Sequence, residues 1–195
     1  MFSNLIEILV LSFVQGISEF LPISSSAHLL IISKLKTFQS SSLEIDISLH
    51  LGSLLAIIFY FRKDLIGILK NKDLNLKNIL IISCFQILAL IPGVSRSGII
   101  ITAGRFLKFN RYESSKISFY LSIPAIAGAS FLGLKDISSE NIEVNSLVFL
   151  SIFLSFIFSY LTVKYFLIFV KNFSLNIFVF YRIILALILF FIIYY

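Results

Sequence analysis

Leu21-Pro22-Ile23-Ser24-Ser25-Ser26 and Ile91-Pro92-Gly93-Val94-Ser95-Arg96-Ser97 are the two stretches that decide the fold. Each ends an apolar run at a proline and continues with serines. The preceding runs cover 3–21 and 78–92, and the following ones, 23–33 and 97–107, are too short to cross a bilayer, which takes about 20 apolar residues. A helix, a proline break and a short second helix form a re-entrant hairpin. Such broken backbone is tolerated at membrane depth only where protein buries it. The two hairpins read as copies. An offset of 70 relates Pro22 to Pro92 and Ser25 to Ser95, and also Ser48-Leu49-His50-Leu51 to Ser118-Phe119-Tyr120-Leu121. Each repeat is therefore a hairpin followed by a span.

Outward from these tips, the chain reads as membrane protein throughout. Of its 195 residues, 58% are hydrophobic and 13% charged, with a mean hydropathy of +1.01; soluble domains carry about 25% charged residues. Runs 43–61, 117–134, 144–170 and 175–195 are long enough to span. The expected fold is an all-α integral membrane protein: an inverted repeat of re-entrant hairpin plus transmembrane helix, followed by two further transmembrane helices. It forms one membrane domain, 1–195, with repeat 1 at about 1–65 and repeat 2 at about 75–195. Glu7 and Glu19 and the lack of a basic start argue that the first helix is retained rather than cleaved as a signal.

Charge sets the orientation. Arg62, Lys63, Lys70, Lys72 and Lys77, then Arg105, Lys108, Arg111 and Lys116, flank the second hairpin. By the positive-inside rule both segments are cytoplasmic. Asp136, Glu140 and Glu143 suit the outer face, Lys164 and Lys171 return inside, and Lys34 and Lys36 depart from the rule. One span separates equivalent points of the repeats, so the second copy is inverted and the two tips meet near the midplane, a known way to build a central binding site. The net charge of +6 lies mostly in short loops, which points to topology and anionic lipid rather than to nucleic acid. The single cysteine, Cys84, excludes an internal disulfide, and two histidines, His28 and His50, cannot build a protein-only zinc site.

The tips carry the unusual chemistry. Gln15 and Glu19 share one helix face, and Ser24, Ser25, Ser26 and His28 follow the first proline. Gly93, Ser95, Arg96 and Ser97 follow the second. Ionisable groups at membrane depth cost about 3 kcal/mol each even on lenient scales, so Glu19 and Arg96 either face each other or share a ligand. Two helix N-termini, Arg96 and several hydroxyls make an oxyanion cradle. A bare phosphate would repel Glu19, which fits better as ligand to a divalent cation bridging carboxylate and phosphate. The assembly suggests a metal-bound pyrophosphate inside a membrane. The competing structural readings are helix caps for the serines, a packed core role for His28, a plain ion pair for Glu19 and Arg96, interhelical hydrogen bonds for Gln15, Gln86, His50 and Tyr120, and snorkelling for Arg182.

The segment Gln15-Gly16-Ile17-Ser18-Glu19-Phe20-Leu21-Pro22-Ile23-Ser24-Ser25-Ser26-Ala27-His28 resembles the first signature of the bacitracin-resistance type undecaprenyl pyrophosphate phosphatases, and Pro92-Gly93-Val94-Ser95-Arg96-Ser97-Gly98 resembles the second. His50-Leu51-Gly52-Ser53-Leu54-Leu55-Ala56, Ile123-Pro124-Ala125-Ile126 and Phe180-Tyr181-Arg182 follow in the family's order. The resemblance implies hydrolysis of undecaprenyl pyrophosphate to the monophosphate for lipid-carrier recycling in peptidoglycan synthesis. It also implies a divalent cation, magnesium or calcium, and a site opening to the outer face of a bacterial cytoplasmic membrane. It assigns Glu19, Ser25, His28 and Arg96 to catalysis, with nucleophilic attack open between Ser25, His28 and water. It assigns Gln15 and Glu19 to the metal, and Gln15, Ser24, Ser26, Gly93, Ser95 and Ser97 to substrate. Ile100 stands where the family usually has threonine, with Thr102 on a different helix face, and His50 where many members have glutamine. Between Arg62 and Gln86 there are 23 residues, where typical members hold about two more spans, on the order of 40 residues. The flank this uncovers predicts a homodimer. The main rival is a lipid-phosphate flippase without hydrolysis, because inverted repeats around a midplane anion site are also a transporter architecture. A structural membrane subunit, indifferent to substitution at the tips, is a further alternative. The Pro-Ser-Gly-His element of type-2 phosphatidic-acid phosphatases is missing.

Overall fold

The computed structural model describes residues 2–23, 43–70, 76–91, 93–137 and 146–194. These residues form seven α-helices and no strand. They are α1 (Phe2–Ser18), α2 (Leu43–Lys70), α3 (Leu76–Gln86), α4 (Arg96–Phe106), α5 (Arg111–Ile137), α6 (Ser146–Asn172) and α7 (Asn176–Tyr194), with a 3-10 turn at Ile87–Leu90. Three helices are long and apolar enough to cross a membrane, over Leu43–Gly67, Arg111–Leu134 and Ser146–Asn172. The fourth expected span, α7, has 19 residues, about 28 Å of rise; its described apolar part, Asn176–Phe191, is shorter.

The breaks fall earlier than the apolar runs suggest. Instead of one helix running to Pro92, α3 ends at Gln86, tightens into the 3-10 turn and leaves Ile91 extended at φ −70° and ψ 124°. A residue before proline is driven out of the helical region by the proline ring. α1 likewise stops at Ser18, four residues before Pro22. Pro124, by contrast, lies inside an unbroken α5. α3 and α4 pack on each other as the two arms of the second hairpin. The second arm of the first hairpin, 23–33, falls almost wholly outside the described residues.

α6 is the spine, packing most extensively on α2, then on α1. Its inward face is a stripe of three fully buried serines at four-residue spacing, Ser151, Ser155 and Ser159, continued by Val163, Phe166 and Val170. In a bilayer, apolar side chains gain little by leaving lipid, so association rests on close packing and hydrogen bonds. Both are present. The Ser53 hydroxyl meets those of Ser155 (3.0 Å) and Ser159 (2.9 Å), and Ser155 donates to the Leu49 carbonyl at 2.6 Å. Glycines permit this approach: a Cβ on Gly16 would stand 2.6 Å from Phe158 Cβ, and one on Gly52 would collide with the Ile152 carbonyl. Lower down, Phe20, Ile57, Phe61, Phe119, Ile126 and Phe166 form one core, in which Phe20 meets Phe119 edge-on at 5.8 Å. This core anchors the first tip among α2, α5 and α6.

The ends of α2, α5 and α6 that carry the basic residues gather together. Lys116 pairs with Asp64 at 2.6 Å, and Tyr120 donates to the same carboxylate at 2.8 Å. Arg111 donates to the Phe173 carbonyl, and Lys171 lies 4.6 Å from the Tyr112 ring centre.

The seam makes a stability prediction. Gly52→Leu should cost about 1–3 kcal/mol through overpacking, whereas Gly67→Ala, on the same helix with open space around it, should be neutral or stabilising by up to about 1 kcal/mol. Thermal unfolding midpoints of the two variants in detergent measure the contrast; equal midpoints would show that the α2–α6 approach is not tight.

Candidate active site at the hairpin tips

The first tip forms because Pro22 cannot continue α1. The Glu19 N–H still reaches the Gln15 carbonyl (3.0 Å) and that of Leu21 the Ile17 carbonyl (3.1 Å), while Ile23 closes a short turn onto the Leu21 carbonyl (2.8 Å). Glu19 is thus held one residue beyond the end of α1, with Gln15 on the turn before it. In the second tip, Gly93 has φ +87°, a left-handed conformation that glycine adopts without a side-chain clash. That turn delivers Ser95 in extended geometry as the N-cap of α4, where its hydroxyl accepts from the Gly98 N–H at 3.2 Å. The first N–H groups of α4, beginning with those of Arg96 and Ser97, have no acceptor within the helix.

The two tips meet. Arg96 forms an ion pair with Glu19 through its Nη2 and the carboxylate Oε1. The Glu19 side chain is 7% exposed and that of Arg96 23%, so the carboxylate is enclosed while part of the guanidinium fork still faces outward. The other carboxylate oxygen accepts from the Gln15 amide at 3.3 Å. The same amide nitrogen lies 3.1 Å from His50 Nδ1; with the amide as donor, the neutral imidazole carries its proton on Nε2. Ser97 donates to the Leu21 carbonyl at 2.9 Å and meets Ser95 Oγ at 3.1 Å. Ser118 of α5 braces the Ser97 carbonyl at 3.4 Å.

A cavity of about 390 Å³ opens at this junction, with Glu19, His50, Gln86, Ser95 and Arg96 supplying its polar wall and Val94, Ala89 and Ala125 part of its apolar one. An acceptor, a cation, a capped helix N-terminus and a half-buried imidazole thus converge on one space. The arrangement can hold an anion against Arg96 and the α4 N-terminus while keeping a carboxylate beside it.

Of the residues singled out in the sequence, Glu19, Ser95 and Arg96 line this cavity. Gln15 is buried behind Glu19 and orients it. The Ser97 hydroxyl ties the two tips together, and Gly93 shapes the turn through its backbone. Ser24, Ser25, Ser26 and His28 lie outside the described residues. Ile100, where the family's threonine was expected, is fully buried in a cluster with Ile82 and Ala103, facing α3 rather than the cavity. Thr102 donates to the Gly98 carbonyl at 2.8 Å. His50 and Gln86 are wall residues that the sequence reading had placed among structural hydrogen-bonders. The only sequence signal was a polar residue in mid-span; His50 and Gln15 share no motif and become neighbours through the packing of α1 beside α2.

Comparison with known proteins places the chain in a family. The family described as bacitracin resistance protein BacA matches residues 8–72 and 69–188. An undecaprenyl-diphosphatase of Pelagibacter ubique (strain HTCC1062) is 49% identical over 255 aligned positions that cover all of both chains. Those of Elusimicrobium minutum (strain Pei191) and Campylobacter curvus (strain 525.92) are 36% and 33% identical, covering 94% and 97% of this chain and 96% and 99% of their own. The alignment with the first relative is longer than this chain's 195 residues, and the two family matches meet at 69–72, where the spacing between Arg62 and Gln86 is short. With both hairpin tips inside the matched segments, the chain belongs to the bacitracin resistance protein BacA family.

Proposed function

We propose that this chain is a membrane-embedded undecaprenyl-diphosphatase, hydrolysing undecaprenyl pyrophosphate to undecaprenyl phosphate and inorganic phosphate. The single observation that carries the reading is the meeting of Glu19, Arg96 and the Ser95-capped start of α4 on one cavity between two broken helices. Relatives at 49%, 36% and 33% identity bear the name of that activity.

The chemistry follows from the groups present. The free part of the Arg96 fork and the α4 N–H groups bind the terminal phosphoryl group, aimed at oxygens whose charge changes as the bond to the bridging oxygen breaks. Gln15 and His50 fix the position of Glu19. Ser25 and His28, placed beside Pro22 by the sequence, are the candidates for nucleophile and proton carrier, with water the alternative nucleophile; the neighbouring Ser24 and Ser26 would add hydroxyls to the substrate. The donor set fits a hard divalent cation, magnesium or calcium. Glu19 keeps carboxylate lone pairs beyond those used by Arg96 and Gln15 and would be the principal ligand, with the Gln15 side-chain oxygen as a second oxygen donor were the amide to turn toward the ion. Among the described residues no cluster of three or more His, Cys, Asp or Glu stands ready for a metal, so the substrate's own oxygens would supply further ligands. When bound, such a cation would neutralise charge on the departing phosphate.

The clustered basic ends of α2, α5 and α6 are proposed to face the cytoplasm. His50 lies 14 residues from Asp64 along α2, about 21 Å away, so the cavity belongs to the opposite half of the membrane and would open to the outer face of the cytoplasmic membrane. A homodimer would cover the flank left open by the short connection between Arg62 and Gln86.

Two measurements test the reading. Purified protein in detergent should release phosphate from a long-chain prenyl pyrophosphate, dependent on added magnesium or calcium, and Arg96→Ala should lower kcat by at least about 100-fold. Lipid binding without any release would favour the flippase. Separately, a double-mutant cycle of Glu19→Ala and Arg96→Ala on thermal stability should give a coupling energy of about 0.5–3 kcal/mol; additive losses would mean that the two charges act independently.

A further inference from the structure

Arg182 is a cation for which the mechanism above has no use. It lies within α7 and is half-buried. No carboxylate pairs with it among the described residues. Its cavity, about 100 Å³, is lined by Pro22, Gly98, Ile101, Thr102 and Phe178 among others. A snorkelling arginine reaches along apolar surface for water, whereas this one reaches the two hairpin tips. Its Nη1 lies 3.3 Å from the point where a Cβ on Gly98 would stand, and Ser95 Oγ, on the wall of the main cavity, lies 3.4 Å from the same point. Arg182 and Ser95 thus both approach the place of the missing Gly98 side chain, close enough for one diphosphate to reach both. An unpaired arginine at membrane depth is costly and marks a ligand or ion path.

A second observation gives the direction of the ligand. An apolar groove of about 340 Å³ is lined by Ile17, Leu21, Tyr165, Phe166, Phe169 and Phe178 among others. It shares Phe178 with the Arg182 cavity, and Leu21 adjoins Pro22 of that cavity. Tyr165, 61% exposed, opens it to the lipid side. The order of environments is therefore Glu19 and Arg96, then Ser95 and Gly98, then Arg182, then an apolar channel. A prenyl diphosphate has the same order: terminal phosphate, bridging oxygen, phosphate ester, hydrocarbon.

We propose that Arg182 binds the phosphate that remains on the lipid, and that the groove between α1, α6 and α7 takes the first isoprenoid units. The proposal rests on the diphosphatase reading. In that reaction an oxygen nucleophile bonds to the terminal phosphorus and the bond from that phosphorus to the bridging oxygen breaks. The electron pair stays on the lipid-side phosphate, where Arg182 would meet the developing charge. The proton of the attacking water or hydroxyl leaves to a base or to solvent; where Ser25 attacks, water then cleaves the phosphoseryl bond and releases inorganic phosphate.

Binding of farnesyl monophosphate to the full chain in detergent tests this independently of turnover. Arg182→Ala and Arg182→Met, the latter keeping a long apolar stem, should weaken it at least about tenfold, one charge-assisted phosphate contact's worth. Arg182→Lys should be intermediate, and Thr162→Trp, which fills the groove from its wall on α6, should weaken farnesyl monophosphate but not inorganic phosphate. Both Arg182 variants binding farnesyl monophosphate as tightly as the parent, with unchanged thermal unfolding, would overturn the assignment. A parent protein that binds farnesyl monophosphate through Arg182 yet releases no phosphate from the diphosphate would sink the hydrolase reading while leaving this subsite in place.

Discussion

The structure depends on one ion pair made where two helices fail. Glu19 and Arg96 are distant in sequence, and each would be costly alone at membrane depth. Two proline-directed breaks bring them together, so each charge is matched in the same place that each helix exposes backbone groups needing partners. The surrounding hydrogen bonds do not compete for the pair but support it. Gln15 holds the carboxylate from behind, Ser95 closes the start of α4, and Ser97 ties the second tip to the Leu21 carbonyl of the first. Arg96 has five donors, and only part of that capacity faces Glu19, which is why a structural pair can also be an anion site.

Such a junction is useful only if it is held still, and the scaffold shows how. Hydrophobic burial contributes little between helices in lipid, so α6 relies on fit. The serines of its stripe share hydrogen bonds with Ser53 and the Leu49 carbonyl, and Gly16 and Gly52 let α1 and α2 approach backbone to backbone. Gly16 and Gln15 are adjacent, as are His50 and the Leu49 whose carbonyl Ser155 holds. The closest packing therefore lies directly behind the residues that position Glu19. Phe20, buried against Phe119, fixes the tip from the other side.

Much of this was legible in the sequence because the informative residues were out of place there. Prolines followed by serines inside apolar runs, and a glutamate and an arginine at membrane depth, admit few explanations, and the offset of 70 joined the two tips before any contact was known. What escaped were contacts between residues ordinary for their surroundings. Serines at four-residue spacing on α6 read as tolerated small residues until Ser53 and Leu49 are seen opposite them. His50 reads as one polar residue among apolar ones, and its contact with Gln15 follows from a helix approach that local pattern does not encode. Asp64, Lys116 and Tyr120 are each explicable alone, as loop charges and an interfacial aromatic; their triad appears only when α2 lies against α5. The helix ends shifted too, because a proline acts on the residues before it and ended α3 in a 3-10 turn well short of the apolar run.

The brevity of the first repeat bears on which parts of this fold the site requires. The two family matches meet at 69–72, between the end of α2 and the start of α3. The first match holds Gln15, Glu19 and His50, and the second holds Gln86, Ser95, Arg96 and Ala125. The site is thus assembled across the junction, with nothing contributed by the segment that longer members carry there. What brings the halves together is the packing of α2 on α5 and α6, closed on the basic side by Lys116 and Asp64 and near the site by Ser97 and Leu21. The geometry of the tips is therefore set by contacts among the described helices of this chain.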